Sequence, residues 1–245
     1  MFAHNFSPIL IDIGPVEIRW YGLVWALGFL LAYLALQKNK ECLDMSHEQV
    51  ESFFFYFMLS VLVGARLFHV LFWGASYYFT HPLKILAVWE GGLAFHGGLV
   101  GGIALTYFFT KKHNLSWEKI FDVLTIPAAL ALAFGRLANF MNGELWGEVT
   151  TVSWCFTDQG IEGCRHPSTL YAAAGRFLSF FYLYYLSKKE QKDGYLFWQF
   201  VLWMGVVRII VDFFRADQLY LALTAGQWFS VAMVVVSVYF LKKKN

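Results

Sequence analysis

Charge is what this chain has least of. Only 15% of its 245 residues are Asp, Glu, Lys or Arg, against 58% hydrophobic and 20% aromatic, whereas a soluble domain carries roughly 25% charged residues. That shortage excludes an ordinary soluble domain and points to a membrane protein. The net charge of +2 is too small to argue for nucleic acid as a partner. No linker, repeat or low-complexity tract divides the chain, so a single domain over residues 1–245 is expected. The opening MFAHNFSPILIDIGPVEI lacks a basic n-region, so no cleaved signal peptide is expected. Cysteine is scarce too, confined to Cys42, Cys155 and Cys164.

What is present is a series of seven apolar segments. They run from Trp20 to Leu36, Phe53 to Trp73, Leu93 to Thr110, Ile120 to Met141, Ser168 to Leu186, Leu196 to Phe214, and Thr224 to Leu241. Each is close to the span of about 20 apolar residues that a helix needs to cross a bilayer. The expected fold is all-α, a polytopic membrane protein with seven transmembrane helices. Eleven lysines (38, 40, 111, 112, 119, 188, 189, 192 and 242–244) fall on one side of this arrangement, and Arg19, Lys84, Arg165 and Arg215 on the other. The positive-inside bias places the N-terminus outside and the C-terminus in the cytoplasm. Cys155 and Cys164 then share an exterior loop, where either a disulfide or two thiols would fit; the pair is expected to bond if that compartment is oxidising.

The remaining arginines, Arg66, Arg136, Arg176 and Arg208, lie inside segments. An Arg at the centre of a span costs about 2.5 to 3.5 kcal/mol on insertion scales, so each needs a partner or a ligand. Arg66 and His69 stand three apart on one face of the second segment, suited to a pairing network with Glu or carbonyl groups. Arg208, Asp212 and Arg215 line one stripe of the sixth, a ladder that neutralises itself yet leaves one positive charge over, able to grip a phosphate. In EGGLAFHGGLVGG (90–102), His96 sits between glycine pairs that open the backbone to another helix or a ligand, and a neutral imidazole is a competent proton acceptor. In GRLANFMNGELWG (135–147), Asn142 and Gly143 read as an ordinary polar helix cap, but that leaves Arg136 within the span without an explanation.

GRLANFMNGELWG is similar to the signature of the prolipoprotein diacylglyceryl transferases. The resemblance extends in order through RWYG (19–22), GARL (64–67), GGLAFHGGLVGG (91–102), RHPSTLY (165–171), RIIVDFFR (208–215) and TAGQWFS (224–230), nearly the whole chain. It implies a bacterial inner-membrane enzyme with its active site toward the periplasm. Such an enzyme moves diacylglycerol from phosphatidylglycerol to the lipobox cysteine thiol of a preprolipoprotein, forming a thioether and releasing glycerol phosphate. No cofactor takes part in the family, and the chain's His, Cys and carboxylates have no close zinc-site spacing, so no metal is expected. His96, Arg136 and Arg208 match positions essential in the family; Tyr21, Asn139, Glu144 and Gly147 match important ones, and Asn142, Arg66 and Asp212 join them as candidate substrate-binding residues.

The chemistry asks for these residue types. A thiol of pKa about 8.5 must lose its proton to attack carbon, which suits His96 as base or an Arg-lowered thiol pKa. The departing phosphate gains charge that Arg136 and Arg208 can stabilise, while Glu144 is suited either to orient an Arg or to bind glycerol hydroxyls. The chain departs from the family pattern at Ala138 for Gly, Ala172 for Glu, Met204 for Tyr and Asp212 for Glu. Met204 and Ala172 keep a second reading open, a member that binds phosphatidylglycerol without transferring it. A transport path would predict repeats between the two halves, and none is found.

Overall fold

A computed structural model of the protein describes residues 1–14 and 16–244. In chain order the elements are β1 (Phe2–Ala3), β2 (Ile9–Ile13), β3 (Val16–Arg19), α1 (Trp20–Lys38), α2 (His47–Phe72), α3 (Ala75–Thr80), two 3₁₀ turns (Pro82–Leu86 and Val88–Glu90), α4 (Phe95–His113), α5 (Trp117–Met141), β4 (Phe156–Thr157), α6 (Ser168–Leu186), α7 (Tyr195–Asp212), β5 (Leu219–Tyr220), β6 (Leu223–Thr224) and α8 (Ala225–Lys244). Each of the seven apolar segments lies on one long helix. Among the described residues five of these, α1, α2, α5, α7 and α8, are long and apolar enough to cross a membrane. α4 and α6 have 19 residues each, but four glycines in the first and Arg176 with several Ser and Tyr in the second dilute the apolar run.

The surface fits a bilayer as solvent. Leu221 is 90% exposed, Phe79 and Leu83 83%, and Trp89 80%, far more large apolar side chain than water tolerates on a monomer. Among the described residues six short strands form three two-stranded pairs, β1–β4 parallel and β2–β3 and β5–β6 antiparallel. These extended pieces were not expected from an all-α reading; most are two residues long, too short to leave an alternating pattern, and three of them precede the first apolar run.

The chain sorts into two compact units, Leu36–Ile120 and Met1–Ala35 with Phe121–Asn245. In the first, α2 and α4 pack antiparallel through small residues. A side chain on Gly64 or Gly97 would collide with the other's carbonyl, and one on Gly101 with the carbonyl of Ser60, whose hydroxyl donates to Gly101 O at 2.8 Å. Where lipid is the solvent, such close approach supplies the packing that apolar burial cannot. The glycine stripe beside His96 is therefore covered by α2; it does not give a ligand access. Farther along, buried Phe53 meets Phe57 and Phe109. α2 begins at His47, ahead of its apolar run, because Ser46 and Gln49 form a reciprocal capping box.

In the second unit, Asp122 on α5 accepts the Gly194 and Phe197 amides at 2.6 and 2.7 Å, satisfying the start of α7. α6 packs on α7 and α7 on α8. β1 lies beside β4, and the segment that carries β4 is closed by a disulfide between Cys155 and Cys164. Cys42 is a free thiol. β5 and β6 lead into α8, whose first turn is locked by the Thr224 hydroxyl accepting from Gln227 N while Gln227 Oε1 accepts from Thr224 N.

Candidate active site

The site begins where α5 ends. Gly143 takes φ +68°, its amide donates to Phe140 O and the Glu144 amide to Asn139 O. This is the paired bonding of a Schellman cap, for which Asn-Gly is suited. The turn brings Glu144 back over the helix end. One carboxylate oxygen accepts from Asn139 Nδ2 at 2.8 Å and the other from Asn142 Nδ2 at 3.0 Å. Asn139 Oδ1 is thereby aimed at Arg136 Nη1, 3.2 Å away. Glu144 thus reaches Arg136 through an amide, without an ion pair between them.

α7 supplies the second cation. Arg208 Nε stands 2.8 Å from Asp212 Oδ1, and the Asp212 side chain is fully buried. Its other oxygen accepts from Thr224 Oγ1 at 2.7 Å. Arg215 is 3.8 Å from Asp212 but grips Asp217 with two bonds of 2.7 and 2.9 Å. The ladder expected along α7 is therefore extended by a second carboxylate from the following loop. The Arg215 hydrogen bond holds the Asp217 carboxyl below its usual range, against the opposing effect of burial. Its stabilising contribution is complete above the ordinary pKa of 3.8 and is lost only as pH falls through the lower folded value.

A small cleft with a cavity volume of about 10 Å³ lies between these helices, lined by Arg136, Ser168, Thr169, Ala172, Arg176, Val207, Arg208, Val211 and Arg215. Four guanidinium groups around one small cavity are an arrangement able to hold an anion. Arg136 and Arg208, taken from different segments of the sequence, both line it. Arg176 and Thr169 were not among the expected site residues. Arg176 had stood out only as an unexplained intramembrane cation, although 169, 172 and 176 share one helical face.

Other expected residues lie elsewhere. Gly147 is wedged where the backbone at Phe214 meets His166; its amide donates to His166 O at 2.9 Å, and any side chain would strike Phe214 O. Tyr21 is 39% exposed on the first turn of α1, its ring against Trp25. Met204, where the family pattern has Tyr, is one turn before Arg208 but outside the cleft lining. In the other unit, His96 is exposed on the first turn of α4, its ring 6.0 Å from Phe68.

Arg66, suited by its sequence to carbonyl partners and also named as a candidate at the substrate, is taken up by the backbone. Its five N–H groups go to the carbonyls of Ile85, Gly91, Gly92, Lys84 and Ala87. Its guanidinium also lies over Tyr78, 5.0 Å from the ring centroid. It organises the segment that leads to His96. Arg66→Lys, with three donors where five are needed, is expected to lower stability by about 3 kcal/mol. Thermal unfolding in detergent measures it; an unchanged midpoint would mean that the carbonyls find other donors.

The sequence model of the family described as prolipoprotein diacylglyceryl transferase matches residues 8–242. The phosphatidylglycerol–prolipoprotein diacylglyceryl transferase of Geobacter sulfurreducens is 39% identical, covering 92% of this chain and 88% of the relative. The protein of the same name from Nitrosospira multiformis is 37% identical over 98% and 88% of the two chains. That from Tolumonas auensis is 38% identical over 97% and 95%. With most of both chains aligned in every case, this chain belongs to the prolipoprotein diacylglyceryl transferase family.

Proposed function

We propose that this protein transfers the diacylglyceryl group of phosphatidylglycerol to the lipobox cysteine thiol of preprolipoproteins. The single observation that carries this reading is the four-arginine cleft assembled around the family's GRLANFMNGELWG and RIIVDFFR motifs. In the reaction the sulfur attacks the diacylglyceryl carbon bonded to the phosphate oxygen. The C–S bond forms as the C–O bond breaks, the thiol proton is lost, and glycerol phosphate leaves with one more negative charge than the diester carried. Arg136 and Arg208, both partly buried, neutralise that growing charge where shelter from bulk water strengthens such contacts. His96 takes the thiol proton. The enzyme acts in the bacterial inner membrane, with seven spans, the N-terminus outside and the site toward the periplasm, as the lysine distribution supports.

The test supplies purified protein in detergent with phosphatidylglycerol and a lipobox peptide, and follows peptide mass and glycerol phosphate release. A diacylglyceryl mass gain is expected, reduced at least roughly a hundredfold in Arg136→Ala. No gain from folded protein that still binds the lipid would replace transfer by lipid binding.

A further inference from the structure

The charges around the cleft do not balance, and the surplus has an address. Arg208 is paired with Asp212, and Arg215 with Asp217. Arg136 and Arg176 have no carboxylate partner among the described residues. The first is hydrogen-bonded to the Asn139 amide and the second, through Nη1, to Leu132 O at 3.1 Å. The cavity therefore holds two uncompensated positive charges, one from α5 and one from α6.

A phosphodiester carries one negative charge; a phosphate monoester near neutral pH carries between about 1.5 and 2. Arg136 meets the charge that the lipid brings and shares in its growth; Arg176 answers charge that exists only once the C–O bond breaks, which is the kind of interaction that raises kcat. α6 offers a further group. Thr169 is 2% exposed and lines the cleft, and Thr169 Oγ1 is buried with no hydrogen-bond partner among the described residues. A buried hydroxyl without a partner costs about 1 to 3 kcal/mol, and a ligand oxygen would remove that cost. Thr169 also lies in the first turn of a 19-residue helix, whose positive end adds to the field. Ala172, between Thr169 and Arg176 on the same face, contributes only a methyl group.

We infer that Arg176 and Thr169 form a second half of the phosphate site, with Arg176 binding the leaving glycerol phosphate more strongly than the lipid diester and Thr169 donating to a phosphate oxygen. This rests on phosphatidylglycerol being the donor lipid. Both residues are catalytic in the sense of touching the departing group.

Two measurements test it, each on the wild-type protein, Arg176→Gln, Arg176→Lys, Thr169→Val and Thr169→Ser: transfer kinetics with phosphatidylglycerol and lipobox peptide, and equilibrium dialysis of labelled glycerol phosphate. Arg176→Gln is expected to lower kcat about a hundredfold, with KM for the lipid within about threefold and glycerol phosphate affinity down more than about tenfold. Arg176→Lys keeps the charge without the fork and recovers part of both losses. Thr169→Val lowers kcat about tenfold, and Thr169→Ser restores it. If Arg176→Gln does not fold, the Arg176→Lys and Thr169→Val results decide the matter.

Wild-type transfer with kcat and glycerol phosphate binding unchanged in the variants would overturn the α6 assignment and leave the transferase reading standing. Wild-type protein that binds glycerol phosphate through Arg176 but makes no thioether would do the reverse. Protein that neither transfers nor binds ends both.

Discussion

Changing Gly226 to Ala is expected to cut diacylglyceryl transfer by about a hundredfold without unfolding the protein. A Cβ at this position lands 2.6 Å from both Arg208 Nη2 and Asp212 Oδ2, and 2.8 Å from Arg208 Nε. One of the two partners must move. Asp212 is fully buried and held by Thr224 Oγ1, and Thr224 is itself fixed by its reciprocal bonds with Gln227. Arg208 is freer, since its other ionic contact, to Asp217, is 3.5 Å long. The guanidinium therefore shifts, and the cleft loses the alignment of one of its four cations. Ala favours the helix over Gly by up to about 1 kcal/mol, which offsets part of the strain and keeps the fold. The measurement pairs kcat/KM with thermal unfolding. A wild-type rate in this variant would show that the position of Arg208 does not matter to the reaction.

That dependence was not legible in TAGQWFS as a sequence, because the atoms that crowd Gly226 come from α7. The same limit recurs. Apolar runs place the long helices well, since each run must be removed from water as a unit whatever packs against it. The Asn142-Gly143 cap was also readable, because its bonds close within six residues. Partners distant in sequence were not. The carbonyls around Arg66 lie 18 to 26 residues away, and an arginine does not announce whether a substrate or a loop will use its donors. The glycines beside His96 signal that something approaches the backbone; that the neighbour is α2 follows only from the fold. Arg136 and Arg208 were identified by the cost of burying them, and that cost marked Arg176 equally. What set Arg176 apart from a packing residue was the cleft it shares with them.

Glu144 offers the sharpest separation between two roles, orienting Arg136 and binding the substrate's hydroxyls. Gln in its place presents one acceptor and one amino group. Asn139 cannot turn, because Oδ1 must accept from Arg136 while Nδ2 donates to residue 144. Asn142 can, because Asn142 Oδ1 is buried without a hydrogen-bond partner among the described residues. Turning that amide sets Asn142 Oδ1 against the new amino group and leaves Asn139 where it was. If Glu144 acts by orientation, Glu144→Gln therefore keeps transfer within about fivefold of wild type, whereas Glu144→Ala releases Asn139 and loses about a hundredfold. Asn142→Leu alone changes little, since the carboxylate still holds Asn139. Combined with Glu144→Gln it removes the acceptor on which the rescue depends, and the loss exceeds the product of the single effects. The four rates, measured in one transfer assay, form a closed cycle. Should Glu144→Gln be as damaging as Glu144→Ala, the negative charge itself is required, and the carboxylate acts on the glycerol hydroxyls of the lipid.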